Sequence, residues 1–187
     1  MSLRAHGTVR EALDRFRQAN GLRGDDVSRA SWACRLGPVT LRLPNFQWRR
    51  DAILAHDLHH VFTGYPCTMQ GEFQMASWEF GAGRMPHWAA TAFCLPLVLL
   101  GLVWSPRRTL LAFLGGRRSR SLHGMTSTDP LLDAPFDSAR VAFVVATTVN
   151  APWSDRARFA FLVTQASLLA SAPIALVGGV LTVIGAA

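Results

Sequence analysis

Four residues of this 187-residue chain have the types and spacing to hold a metal ion: His56, Asp57, His60 and Glu72. His56 and His60 stand four apart, so on a helix they project from one face about 40° apart, and two imidazoles can converge on one ion. Asp57 falls about 100° from His56 but only about 60° from His60. It can join the pair as a ligand or hold an imidazole N–H from behind. His59 points to the other side of His56. On a continuous helix Glu72 would sit about 18 Å beyond His60, out of reach. The break at Thr63-Gly64-Tyr65-Pro66 lets the chain reverse, so an antiparallel second helix could return Glu72 to the same place. Two neutral imidazoles with one or two carboxylates leave positions open for water, oxygen or substrate. That is a catalytic pattern, whereas closed structural zinc sites carry four Cys or His ligands. Without an ion, the same pair reads as capped or core histidines.

The elements that must position these residues read as helices, and no period-two alternation stands out, so the chain is expected to be all-α, a helical bundle with a metal site between two antiparallel helices. Thr8-Val9-Arg10-Glu11 is a capping box, and Val9, Ala12, Leu13 and Phe16 form a helical stripe ending at Gly21. Asp25 or Asp26 is expected to cap a second helix through Trp32 and Cys34 to Gly37. An irregular or extended piece, Pro38 to Pro44, follows between prolines. A long helix spans about Gln47 to Thr63, and another starts near Thr68 and fades at Gly81 and Gly83. Trp88 to Trp104 is an uncharged helix, slightly short for a membrane span. A basic helix from Pro106 to Leu114 closes at Gly115-Gly116, residues 116–135 read as a loop, and the rest reads as helix.

Composition bounds the chemistry. The net charge is +7, and all 19 basic residues are arginine. Without lysine there is no Schiff-base or PLP chemistry and no P-loop. Half the residues are apolar and 17% are charged, which excludes disorder. Cys34, Cys67 and Cys94 form no CxxC pair, as expected of buried thiols in a reducing compartment. The N-terminus carries Arg4, Arg10, Glu11 and Asp14 with no apolar run behind them, so it does not read as a secretory signal. From Phe159 to Ala187 there is no charge. That length suffices for a span and follows Arg156 and Arg158, an orientation that keeps residues 1–158 cytoplasmic. Pro173 and Gly178-Gly179 offer the other reading, two short buried helices. Arg107, Arg108, Arg117, Arg118 and Arg120 lie in a stretch without acids from Phe80 to Thr128. A solvated loop or a surface for anionic lipid headgroups accounts for it. No helix-turn-helix, zinc finger or aromatic-basic interleaving accompanies it, so nucleic acid is not expected as a partner.

Two lookalikes share the histidine run. His56-Asp57-Leu58-His59-His60 fits the HxxHH box of membrane di-iron desaturases, but those enzymes need three histidine boxes, and only His6, His87 and His123 remain. HD-type phosphohydrolases also share the His-Asp doublet, with His87, His123 and Asp129 as nominal partners. The fuller agreement is elsewhere. His56-Asp57-x-x-His60, eleven residues, then Glu72 resembles the HDxxHx(11)E motif of the coenzyme Q biosynthesis family called Coq-four. Gly64, Pro66, Gly71, Trp78-Glu79-Phe80 and the apolar helix after Pro86 also sit where that family has similar residues. The clearest resemblance covers residues 44–105.

The resemblance implies an all-helical fold at the inner membrane surface and a divalent metal, usually zinc, with iron or another divalent ion as alternatives. Carried over by position, His56, Asp57, His60 and Glu72 would be its ligands and act catalytically through it. The implied reaction is C1 oxidative decarboxylation of a polyprenylated hydroxybenzoate. Apart from the resemblance, an arginine such as Arg84 could steer the carboxylate, its other reading being a solvated helix end. The implied partners are that prenylated quinone precursor, an anionic membrane surface and a quinone-biosynthesis complex. A non-catalytic lipid-binding scaffold organising such a complex is the competing expectation. The lysine-free composition suggests GC-rich coding and a bacterium, hence the cytoplasmic face of the inner membrane, peripheral or anchored through 159–187. In a eukaryote the corresponding place is the matrix side of the mitochondrial inner membrane. The chain is shorter than usual ahead of the motif, and its tail from Phe159 looks like an addition to the family pattern.

Overall fold

The computed structural model describes residues 7–22, 29–36, 39–83, 85–125, 128–145 and 151–185, without the side chains of 34–36, 39 and 172–185. The helix cap expected at Asp25 or Asp26 and the role given to Arg84 lie outside the described residues. Among the described residues the fold is mainly helical, with eight helices and one two-stranded sheet.

Local chemistry sets the first helix. The Thr8 side chain accepts the Glu11 N–H and the Glu11 carboxylate accepts the Thr8 N–H, so the capping box closes α1 (Val9–Ala19). Where a second helix through Trp32 to Gly37 was expected, the chain instead forms β1 (Ser31–Leu36), antiparallel to β2 (Val39–Pro44), with Leu36 opposite Val39. Prolines at 38 and 44 and the β-branched pair Val39-Thr40 keep the second segment extended, and its pairing gives Ser31–Leu36 a hydrogen-bonded partner as a strand. Among the described residues this hairpin is the exception to the expected helical architecture, which otherwise holds. Trp32 on β1 packs edge-on against Phe93, with the Arg49 guanidinium 4.0 Å above the Trp32 ring.

The helices that carry the site match the sequence closely. α2 (Gln47–Thr63) ends where Gly64 takes φ 76°, a left-handed cap that glycine adopts at no steric cost. Arg140 Nε donates to the Phe62 carbonyl at 2.8 Å, a cation at the negative end of that helix. α3 (Met69–Ala82) starts at Thr68, whose side chain accepts the Gly71 N–H. A Cβ at Gly71 would run into the Pro66 carbonyl oxygen, so only glycine lets the chain double back this tightly. α4 (Trp88–Trp104) and α5 (Pro106–Gly116) follow, α5 running through both glycines expected to stop it. The region read as loop contains α6 (Asp129–Leu132), and α7 (Phe136–Phe143) comes next.

Two larger apolar clusters result, beside a smaller one of Met75, Trp78 and Ala112 between α3 and α5. One joins α1, α2, α6 and α7 through Val9, Leu13, Leu58, Phe62, Leu132 and Phe136. Burying a side chain such as Leu58 or Phe62 contributes about 1.5–3 kcal/mol. The other joins α3, α4, α5 and α8 through Ala76, Leu95, Val98, Phe113, Phe159 and Leu162. The Ser77 hydroxyl donates to the Thr109 carbonyl at 2.8 Å and ties α3 to α5 inside this half. α2 belongs to the first cluster and α3 to the second, so histidines on α2 meet carboxylates on α3 along the seam.

α8 (Trp153–Gly185) is one continuous helix through Pro173 and the Gly178-Gly179 pair, not two short ones. Among the described residues no helix is long and apolar enough to cross a membrane. The side chains of residues 172–187, most of the proposed anchor, lie outside the described residues.

Candidate metal centre

His56, His60 and Glu72 come together across the α2–α3 turn. Their ligand atoms lie within 4.8 Å of one another. The two Nε2 atoms are 3.2 Å apart. Glu72 reaches both rings, Oε2 lying 3.4 Å from His56 Nε2 and Oε1 3.4 Å from His60 Nε2. The His60 side chain is buried, while those of His56 and Glu72 are 32% and 30% exposed, which leaves the group open on one side.

What lies behind the rings decides which nitrogens are free. His60 Nδ1 is 2.8 Å from the Tyr65 carbonyl oxygen, which only accepts, so Nδ1 carries a proton. His56 Nδ1 is 3.1 Å from Glu79 Oε1 and donates to that carboxylate. Each ring therefore presents an Nε2 lone pair to the other. Two lone pairs and a carboxylate aimed at one point require a cation, either a proton or a metal ion. In the metal-free chain the proton fills this role. Burial disfavours a charged His56, but Glu79 and Glu72 outweigh it and raise its pKa well above 6.5. Burial likewise opposes the charge on Glu72, yet the His56 and His60 imidazoles beside its carboxylate bring its pKa down to about 2. The donor set suits a divalent ion: two neutral imidazoles, each held from behind by an acceptor, and one ionised carboxylate.

Asp57 does not join this group. Arg17 on α1 donates Nε at 2.9 Å to its Oδ2, and Nη2 lies 2.8 Å from the same oxygen in an ion pair. The pair presses α1 onto α2, and the neighbouring Phe16 ring stacks on His60 with centroids 5.6 Å apart. Asp57 thus acts on the site through the wall that covers it.

A second cluster backs the first. Glu79 Oε1 is 3.1 Å from His56 Nδ1, 2.7 Å from His59 Nδ1 and 3.1 Å from His123 Nε2. His59, Glu79 and His123 also have ligand atoms close enough for an ion. The hydrogen bonding argues against one there. The Leu122 N–H donates to His59 Nε2 at 2.9 Å, so the neutral ring carries its proton on Nδ1 and gives it to Glu79. That nitrogen has no lone pair left for a metal. Burial works against the Glu79 charge, but His56, His123 and His59 hold its pKa well below 4.5. Burial lowers the His59 pKa despite Glu79. Sequence reasoning set His59 aside and gave Glu79 no role. The signal was present in Glu72 and Glu79, seven apart on one face of α3, opposite the His59-His60 doublet.

His123 also lines a cavity of about 460 Å³, with Asp51, Leu54, Ala55, Leu122 and Met125 among its other walls. The cavity thus adjoins the network that orients His56. Of the cysteines with described side chains, both are free thiols. Burial pushes the Cys67 thiol up to about 12 and raises that of Cys94 too, so neither is a reactive thiolate. No known protein family, curated protein or solved structure matches the chain.

Proposed function

We propose that the chain is a metal-dependent lyase of ubiquinone biosynthesis, a relative of the Coq-four family that removes the C1 carboxylate of a polyprenylated 4-hydroxybenzoate derivative. The observation that carries this reading is the convergence of His56 Nε2, His60 Nε2 and Glu72 with both Nδ1 protons already committed. His56, His60 and Glu72 would hold the ion, with zinc the first candidate. A bound divalent ion would supply Lewis acidity toward a ring carboxylate. Glu79, held by His59 and His123, keeps the His56 ring in the tautomer that offers Nε2. Phe16 and the Arg17–Asp57 pair close the α1 side. The 460 Å³ cavity, which His123 lines and His56, His60 and Glu72 do not, falls in the size range of small-molecule sites. Asp57, expected among the ligands, is assigned the structural pairing instead.

The test is turnover of a prenylated hydroxybenzoate by purified protein carrying its metal. The reading expects product carbon dioxide and loss of turnover in Glu72→Ala. Turnover unchanged by that substitution would remove the site from the reaction. No turnover in the metal-loaded protein, with capture of quinone-synthesis proteins that survives Glu72→Ala, would favour the scaffold instead.

A further inference from the structure

The corner between α4 and α5 combines features with no folding rationale of their own. α4 turns Leu100, Val103 and Trp104 outward, with Val103 85% and Trp104 77% exposed. Single exposed apolar residues are ordinary; a tryptophan and a valine side by side at the end of an uncharged helix are not. The chain breaks at Ser105, and α5 opens with Pro106-Arg107-Arg108, all exposed. Neither arginine has an ion-pair or hydrogen-bond partner among the described residues. Other arginines are engaged: Arg117 with Asp155 at 3.0 Å, Arg17 with Asp57 at 2.8 Å and Arg10 with Asp133 at 2.9 Å.

Arg107 and Arg108 also stand at the wrong end of their helix. The helix dipole disfavours cations in the first turn, no acid is present there, and no side chain caps the start. The Ser105 hydroxyl is buried without a partner instead. Such a local conflict marks a place where something outside the fold supplies the missing charge. No acid occurs between Phe80 and Thr128 to repel an anion from this segment.

We propose that this corner is a docking face for a bilayer containing anionic phospholipids. Val103 and Trp104 enter the interfacial layer, where an indole keeps its ring in the apolar zone and its N–H near water. Arg107 and Arg108 take the lipid phosphates, a geometry that the guanidinium fork matches. This inference is independent of the metal centre, since it uses neither its residues nor its ion.

The experiment is co-sedimentation of the full chain with vesicles of phosphatidylcholine plus phosphatidylglycerol and of phosphatidylcholine alone. The expected result is preference for the anionic vesicles, weakened by salt. The Arg107→Gln/Arg108→Gln double variant should lose about 30-fold in partitioning, about 5-fold for each arginine. Val103→Ser/Trp104→Ser should lower binding to both vesicle types. Circular dichroism of each variant separates lost docking from lost folding, and an unfolded double variant is replaced by the single Arg107→Gln and Arg108→Gln chains. Wild-type binding in the arginine variants, as anchoring through the tail alone would give, overturns the proposal. So does equal affinity for neutral vesicles, or self-association through this face without any vesicle binding.

Discussion

His56 Nε2 and His60 Nε2 face each other at 3.2 Å, and each ring has its other nitrogen turned to an acceptor, Glu79 for His56 and the Tyr65 carbonyl for His60. The arrangement behind the rings therefore dictates what can sit between them. Four consequences can be measured.

Glu79→Gln keeps the volume of the side chain but replaces a carboxylate oxygen that faces three imidazole nitrogens. Loss of such a partner costs about 10–100-fold in metal affinity. The metal-free protein should also lose about 1.5–3 kcal/mol, the scale of a hydrogen bond to a charged group. Chelator competition and urea unfolding give the two numbers. Unchanged affinity would mean that Glu79 does not orient His56.

Asp57→Asn separates the two roles open to this residue. Its carboxylate is held by Arg17 from 40 residues away. The variant should lose about 1.5–3 kcal/mol of stability while retaining its metal stoichiometry. Arg17→Ala should give a similar loss, and the double variant less than the sum. A stoichiometry that collapses in Asp57→Asn would make it a ligand after all.

The stability of the metal-free protein should pass through a maximum with pH. The pKa of His56 is raised well above 6.5, so its contribution is complete below 6.5 and fades as pH rises through the folded value. Glu72 is lowered to about 2, so its contribution is complete above 4.5 and fades as pH falls toward 2. The two together favour the interval between 4.5 and 6.5, and the lowered pKa of His59, whose contribution is complete above 6.5 and fades below it, sets the maximum toward the upper end. A metal ion competes with the His56 proton, so its affinity rises with pH and the maximum moves upward when zinc is added. Thermal melts across pH with chelator and with zinc check this; coincident profiles would contradict it.

Gly71→Ala places a methyl group against the Pro66 carbonyl and must push α3 away from the turn. A strained contact of this kind costs about 1–3 kcal/mol. Because Glu72 is the next residue, metal affinity should fall with stability. A variant as stable as wild type would mean that the turn has room to give.

Much of this arrangement is legible in the sequence because it is local. The spacing of His56 and His60 fixes their common face, and Gly64 and Pro66 mark the turn that brings Glu72 back. The boundaries of α2 follow from an uninterrupted helical stretch between breakers, while α4 runs its uncharged length through Pro96. What was not legible depends on distant chain. Arg17 reaches Asp57 from another helix, and the Leu122 N–H that sets the His59 tautomer is 63 residues away from it. The Ser31–Pro44 hairpin was missed because six-residue strands carry little periodicity to set against a helical reading.

The central claim is that His56, His60 and Glu72 bind a divalent ion through the two Nε2 atoms and the carboxylate. Metal analysis of the purified full chain, beside His56→Ala and Glu72→Ala, tests it most directly. The account predicts one tightly held divalent ion per chain in the wild type, and loss of that ion in both variants while helical content is retained. Wild-type protein that binds no divalent ion after incubation with zinc, or variants that hold it as tightly, would contradict it.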